Sequence, residues 1–289
     1  MSQIRRIRQL LLTLLLATLA IAGAALVYRF LIWPALVALF EPGEMVATQL
    51  RRFGILGAVM FGYWAWVRFG EKRPVRELRP APVGAAVGLL SGGALMAIAL
   101  LPLFLFGAYA ITAQRGLQIG LLEIAGFLFV AAMLEELVYR GVLFQSLEKT
   151  WGTRAALWLQ ALVFGVGHLE NVVDGNTWDV AATVVSVTLL GAMWALLFVH
   201  FRNLWLCGLN HFAWNFTIVL SGVPLSGIED WRAAAPFTTE YRAPDWLTGG
   251  LFGPENSLVT LVLVIGVVAL LWHRAKTRSL VLRAALPAS

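Results

Sequence analysis

Charge is what this sequence has least of. Only 13% of its 289 residues are Asp, Glu, Lys or Arg, against 60% apolar side chains. The mean hydropathy of +0.78 is too high for an ordinary soluble domain. Cysteine is nearly absent: Cys207 stands alone, so no internal disulfide is possible and no redox compartment can be read from it. No repeat, P-loop, dinucleotide fingerprint, HExxH pair or low-complexity tract occurs, which leaves no sequence ground for a nucleotide or phosphate site.

What the sequence does have is apolar runs of bilayer length, about 20 residues at 1.5 Å each. They fall near 10–32, 53–69, 83–109, 119–147, 154–168, 179–200, 204–222 and 255–273. The expected architecture is therefore all-α: a polytopic transmembrane bundle of about eight spans, in one integral membrane domain over 1–289. The first run follows "MSQIRRIRQ" and reads as an uncleaved anchor, because it outlasts a signal h-region and lacks a cleavage transition. The longest connection, Gly222 to Glu255 with "FTTEYRAPDW", reads either as a cap over one face or as a plain linker.

With the N-terminus in the cytoplasm, fourteen of the 22 basic residues fall on that side: Arg5, Arg6, Arg8, Lys72, Arg73, Arg76, Arg79, Lys149, Arg154, Arg202, Arg274, Lys276, Arg278 and Arg283. The other side keeps Arg51, Arg52, Arg115, Arg232 and Arg242. The positive-inside rule thus favours eight spans with both termini cytoplasmic, as in a bacterial inner membrane. The net charge of +6 then records topology and contact with acidic lipid, and implies no nucleic-acid partner.

Few polar groups remain at membrane depth. In "LEELVYRGVLF", Glu136 and Arg140 are four apart, share a helix face and can neutralise one another. Glu135, about 100° round the helix, lacks that partner, and an unpaired carboxylate at such depth is expensive enough to suggest a function such as a general base. Phe164 and His168 repeat the four-residue spacing, as do His211 and Asn215. One acid, two imidazoles and one amide on three apolar helices form an inventory for activating water and stabilising an oxyanion. Measured from the cytoplasmic ends, Glu135 lies about 18 Å, His168 about 21 Å and His211 about 10 Å along its helix, which permits a common cavity in the inner half.

"EELVYR", "FGVGH" and "HFAWN" resemble, in order, the EExxxR, FxxxH and HxxxN motifs of the CPBP family of CAAX-processing and bacteriocin-processing proteases, also called Abi proteins or glutamic intramembrane endopeptidases. The resemblance covers roughly 119–222. It implies a helical membrane fold around a conical, water-accessible cavity open toward the cytoplasmic leaflet, and peptide-bond hydrolysis without an acyl-enzyme or a cofactor. By matching positions it implies Glu135 as general base, His168 as the group that positions water, and His211 and Asn215 as oxyanion stabilisers. Glu136 and Arg140 would brace the site, with Phe164 in support. The substrate would be a membrane-associated protein or peptide.

Three other readings compete. A zinc-dependent protease would use Glu135, His168 and His211 as ligands, and a cysteine mechanism would use Cys207, one turn before His211. A non-proteolytic immunity or scaffold protein would carry the same buried charges. His200 and His273 sit at cytoplasmic interfaces and are expected to face headgroups.

Overall fold

The computed structural model describes residues 3–172 and 175–283; of the expected domain over 1–289, the remaining positions lie outside the described residues. Each of the eight apolar intervals falls mainly on helix. The chain runs through α1 (Gln3–Val27), α2 (Trp33–Phe40), α3 (Glu44–Ala65) and α4 (Pro82–Leu105). After α5 (Gly120–Glu136) and α6 (Gln145–Gly167) come α7 (Thr177–Phe201), α8 (Leu204–Leu220), the short α9 (Asp245–Thr248) and α10 (Leu258–Thr277). Four helical stretches are long and apolar enough to cross a membrane by length and composition: Gln3–Phe40, α4, α7 and α10. The other four intervals fall on α5 and α8, of 17 residues each, and on α3 and α6, which carry charged side chains.

Local chemistry fixes the helix starts that matter to the site. Asn176 Oδ1 accepts from the amides of Trp178 and Asp179 while Asp179 Oδ2 accepts from the Asn176 amide, a reciprocal capping box that opens α7. Asn203 caps α8 through the Leu206 amide, and Ser257 caps α10 through Thr260. The tight helix pairs rest on glycine. A Cβ at Gly88 or Gly92 of α4 would stand 2.3 or 2.0 Å from the carbonyl oxygens of Leu206 and Asn210, so these two positions, four apart, let α4 lie against α8 backbone to backbone. Gly165 and Gly191 do the same between α6 and α7.

α7 is the centre of the bundle, with Leu190 to Leu196 buried without interruption. α5 packs on α3 and α8, whereas α6 packs on α7. The two are joined by a π-helical segment, Leu137–Phe144, and each leans on a different partner beyond it. The fifth expected span, 154–168, is the second half of α6, which is broken at Gly152, where φ is 81°.

The helical expectation misses one element. The third interval stops short, because α4 ends at Leu105 and the chain turns at Gly107 (φ 74°) into β1 (Tyr109–Gln114), which pairs antiparallel with β2 (Phe237–Tyr241). The connection 223–254 is thus a folded cap. Gly227 N–H donates to Phe252 O, Ser226 bonds Glu255, and the Arg115 guanidinium donates to the carbonyls of Arg232 and Ala233.

Candidate active site

The last α-helical turn of α5 delivers Glu135 and Glu136, and the π segment that begins at Leu137 delivers Arg140. The pair expected from the four-residue spacing forms: Arg140 Nη1 donates to Glu136 Oε1 at 2.8 Å, with both side chains fully buried. Arg140 Nη2 donates to the Gly191 carbonyl at 3.0 Å, and the guanidinium lies 4.8 Å from the centre of the Phe164 ring. Phe164 therefore supports the brace through a cation–π contact.

His211 links the two glutamates. Its Nδ1 is 3.1 Å from Glu136 Oε1, and its Nε2 is 3.8 Å from Glu135 Oε2. A carboxylate only accepts, so Nδ1 carries the proton that faces Glu136. The ring is held flat by Trp194, stacked at 3.7 Å, whose indole N–H donates to Asn210 Oδ1 at 2.9 Å. His168 ends α6, with Nδ1 2.8 Å from the Phe164 carbonyl, again an acceptor, which leaves Nε2 of the neutral ring able to accept.

These groups meet at one cavity of about 300 Å³, whose walls include Glu135, Phe164, His168, His211 and Asn215. Glu135 keeps 34% of its side chain exposed, yet its Oε2 is itself buried and no group among the described residues hydrogen-bonds it. Asn215 Oδ1 is in the same condition. A separation of 3.8 Å is too long for a direct hydrogen bond and short enough for Glu135 and His211 to grip one small molecule between them.

The cavity does not run toward the basic end. Its floor, at Trp194, Phe164 and His211, is sealed, whereas its far walls come from Glu170 and Asn171 after α6 and from Ser226, Ile228 and Trp231 of the cap. Relative to the bundle itself, the cavity therefore lies on the side of the cap.

Several wall residues carried no local signal. Trp194 and Asn210 look like ordinary members of apolar helices. Glu255 stands just before α10, where a charge reads as interfacial, yet it is 3% exposed, bonds Ser226 Oγ at 2.5 Å and lines the cavity. Burial drives its carboxyl up, partly offset by Ser226.

Cys207 is fully buried, with its thiol against the Trp194 carbonyl and no place on the cavity wall. Among the described residues no group of three His, Cys, Asp or Glu side chains is placed to hold a metal ion. His200, half-buried, has Nε2 3.0 Å from the Leu271 carbonyl.

A helical integral membrane protein with a carboxylate–imidazole cavity between its helices is the class this arrangement defines. Residues 116–217 match the family described as "Type II CAAX prenyl endopeptidase Rce1-like". That segment holds all seven candidate residues, and the match agrees with the resemblance that the three motifs carry. No curated protein and no solved structure matches the chain.

Proposed function

We propose that the chain is an intramembrane endopeptidase that hydrolyses a peptide bond of a membrane-associated protein or peptide with water activated by Glu135. The observation that carries this reading is the unpartnered, buried Glu135 Oε2 facing His211 Nε2 across 3.8 Å inside the cavity. Glu135 takes a proton from water as the oxygen attacks the scissile carbonyl carbon, and His168 Nε2 accepts from the same water. Asn215 donates to the oxyanion through its amide N–H, and His211 does so through Nε2–H as an imidazolium whose other N–H stays on Glu136. On collapse the C–N bond breaks and the proton held by Glu135 passes to the leaving nitrogen, giving a carboxylic acid and an amine, which part as carboxylate and ammonium once the acid proton has moved to the amine.

Glu136 and Arg140 act in this scheme through His211. The Glu136 carboxylate fixes the ring with Nδ1–H toward it, and Arg140 holds Glu136 in place. Apolar walls suit a substrate with a hydrophobic or lipid-modified segment. No cofactor has a role.

The test compares peptide termini, by mass spectrometry, in membranes of cells that express the wild-type chain or Glu135→Gln at equal levels. New termini confined to the wild type are expected. Identical sets of termini, with an intact cellular phenotype for the variant, would overturn the reading in favour of a scaffold or immunity protein.

A further inference from the structure

The two ends of the bundle differ in charge, and the cavity belongs to only one of them. The basic end is tied together by its own contacts. Lys149 and Arg73 both bond Glu71, and Arg202 bonds Glu148 at 2.5 Å. The Thr153 amide donates to the Leu282 carbonyl, and Asn203 donates to the Arg79 carbonyl. These bonds gather the 71–79, 145–154, 202–203 and 274–283 stretches at one face, and with them most of the fourteen basic residues counted from the sequence. The acidic residues at this face are Glu71, Glu77 and Glu148.

The opposite end holds the β1–β2 pair and the cap. It also carries acidic residues from separate elements, among them Glu123, Glu170, Glu229, Asp230, Glu240 and Asp245, against the five arginines already named. Three of those five are absorbed by the fold: Arg115 donates to the Arg232 and Ala233 carbonyls, Arg52 to the Glu123 carbonyl, and Arg232 to the Gly222 and Thr239 carbonyls. Exposure along the cavity wall follows the same axis. Trp194 is 1% and His211 3% exposed on the floor, while Phe127 is 37% exposed at the cap side and Glu170 is open to solvent.

Lys and Arg in short loops are retained on the cytoplasmic side of a membrane during insertion. Applied to this bundle, the rule puts the floor of the cavity toward the cytoplasm and its exposed wall outside. We infer that the cavity opens to the extracytoplasmic side, so that its substrate is a polypeptide segment presented after translocation. The word substrate rests on the endopeptidase reading above; the direction of opening does not. A prenylated protein anchored on the cytoplasmic leaflet lies on the wrong side for this site. The fitting substrates are membrane-anchored or membrane-adsorbed segments of exported chains.

Single-cysteine labelling tests the direction without any need for catalysis. The wild-type chain, with only the buried Cys207, is the blank for a membrane-impermeant maleimide. Glu170→Cys and Glu229→Cys report the cavity side and Thr277→Cys the basic side, all three positions being exposed. In intact spheroplasts both cavity-side variants are expected to label and Thr277→Cys to label only after detergent opens the membrane. Labelling of Thr277→Cys in intact spheroplasts, or of neither cavity-side variant until permeabilisation, overturns the inference. Adding Glu135→Gln to each variant should leave the labelling unchanged while removing cleavage, so a failed protease reading and a failed orientation give different results.

Discussion

Adjacent glutamates in one helical turn meet opposite fates. Glu136 is fully buried and receives hydrogen bonds from Arg140 and His211, whereas Glu135 reaches the cavity with one oxygen unpartnered. Arg140→Met should therefore be costly in stability, because it leaves the Glu136 charge buried without its cation, a loss of about 3–5 kcal/mol. Pairing it with Glu136→Gln should restore most of that loss, since the residual defect is a weaker hydrogen bond to His211. Glu135→Gln should do the reverse: unfolding changed by no more than about 0.5 kcal/mol, with turnover lowered by about 10²–10⁴-fold, the usual contribution of a general base. Denaturant unfolding in detergent micelles, run beside a cleavage assay, separates the two. Equal stability losses for Arg140→Met and Glu135→Gln would contradict the division of labour.

At the scale of elements, the approach of α4 to α8 holds the site from behind, because Asn210 joins Ser91 of α4 to Trp194, the plate under His211. Gly92→Ala puts a methyl 2.0 Å from the Asn210 carbonyl, while Gly57 on the exposed face of α3 has nothing within 4 Å. The same substitution should thus have opposite signs. Gly92→Ala is expected to cost about 1–3 kcal/mol as an overpacked contact and to lower activity through His211. Gly57→Ala should stabilise by about 0.5–1 kcal/mol through helix propensity. Thermal unfolding of both variants checks the pair, and a neutral Gly92→Ala would mean that α4 is not held against α8. Local pattern made the helices legible, since each is an apolar run, and the four-residue spacings put Glu136 and Arg140 in register before any contact was known. The Gly88–Gly92 spacing was an unread signal of the same kind. The β1–β2 pair was not legible, because Tyr109 meets Tyr241 across more than 130 residues and neither strand carries its own hydrophobic alternation. Nor were Trp194, Asn210 and Glu255, whose roles exist only once α7, α8 and the cap converge.

Over the whole molecule, the two ends should answer acid in opposite senses. At the basic end Glu77 accepts from Tyr63 and Arg73, and Glu71 from Lys149 and Arg73. Burial alone would raise both carboxyls, but these bonds outweigh it and hold each below the ordinary Glu value, about 4.3. The folded basic end therefore binds protons less readily than the unfolded chain. Its contribution is complete above that value and is lost as the pH falls through the lower folded values. At the cap end Glu255 is shifted the other way by burial. Its contribution is complete below the ordinary Glu value and declines as the pH rises through the higher folded value. Hydrogen exchange corrected for intrinsic rates should show this as a change of sign along the chain. On acidification from neutral pH, protection at 224–228 and 253–258 is expected to rise first, and protection at 71–79 and 145–153 to fall only below the ordinary carboxylate range. Because the cavity lies at the cap end, mild acid should tighten the wall around Glu255 before it loosens the far end of the bundle. Loss of protection at both ends in the same pH interval would show that Glu255 is not the group that couples the cap to protons.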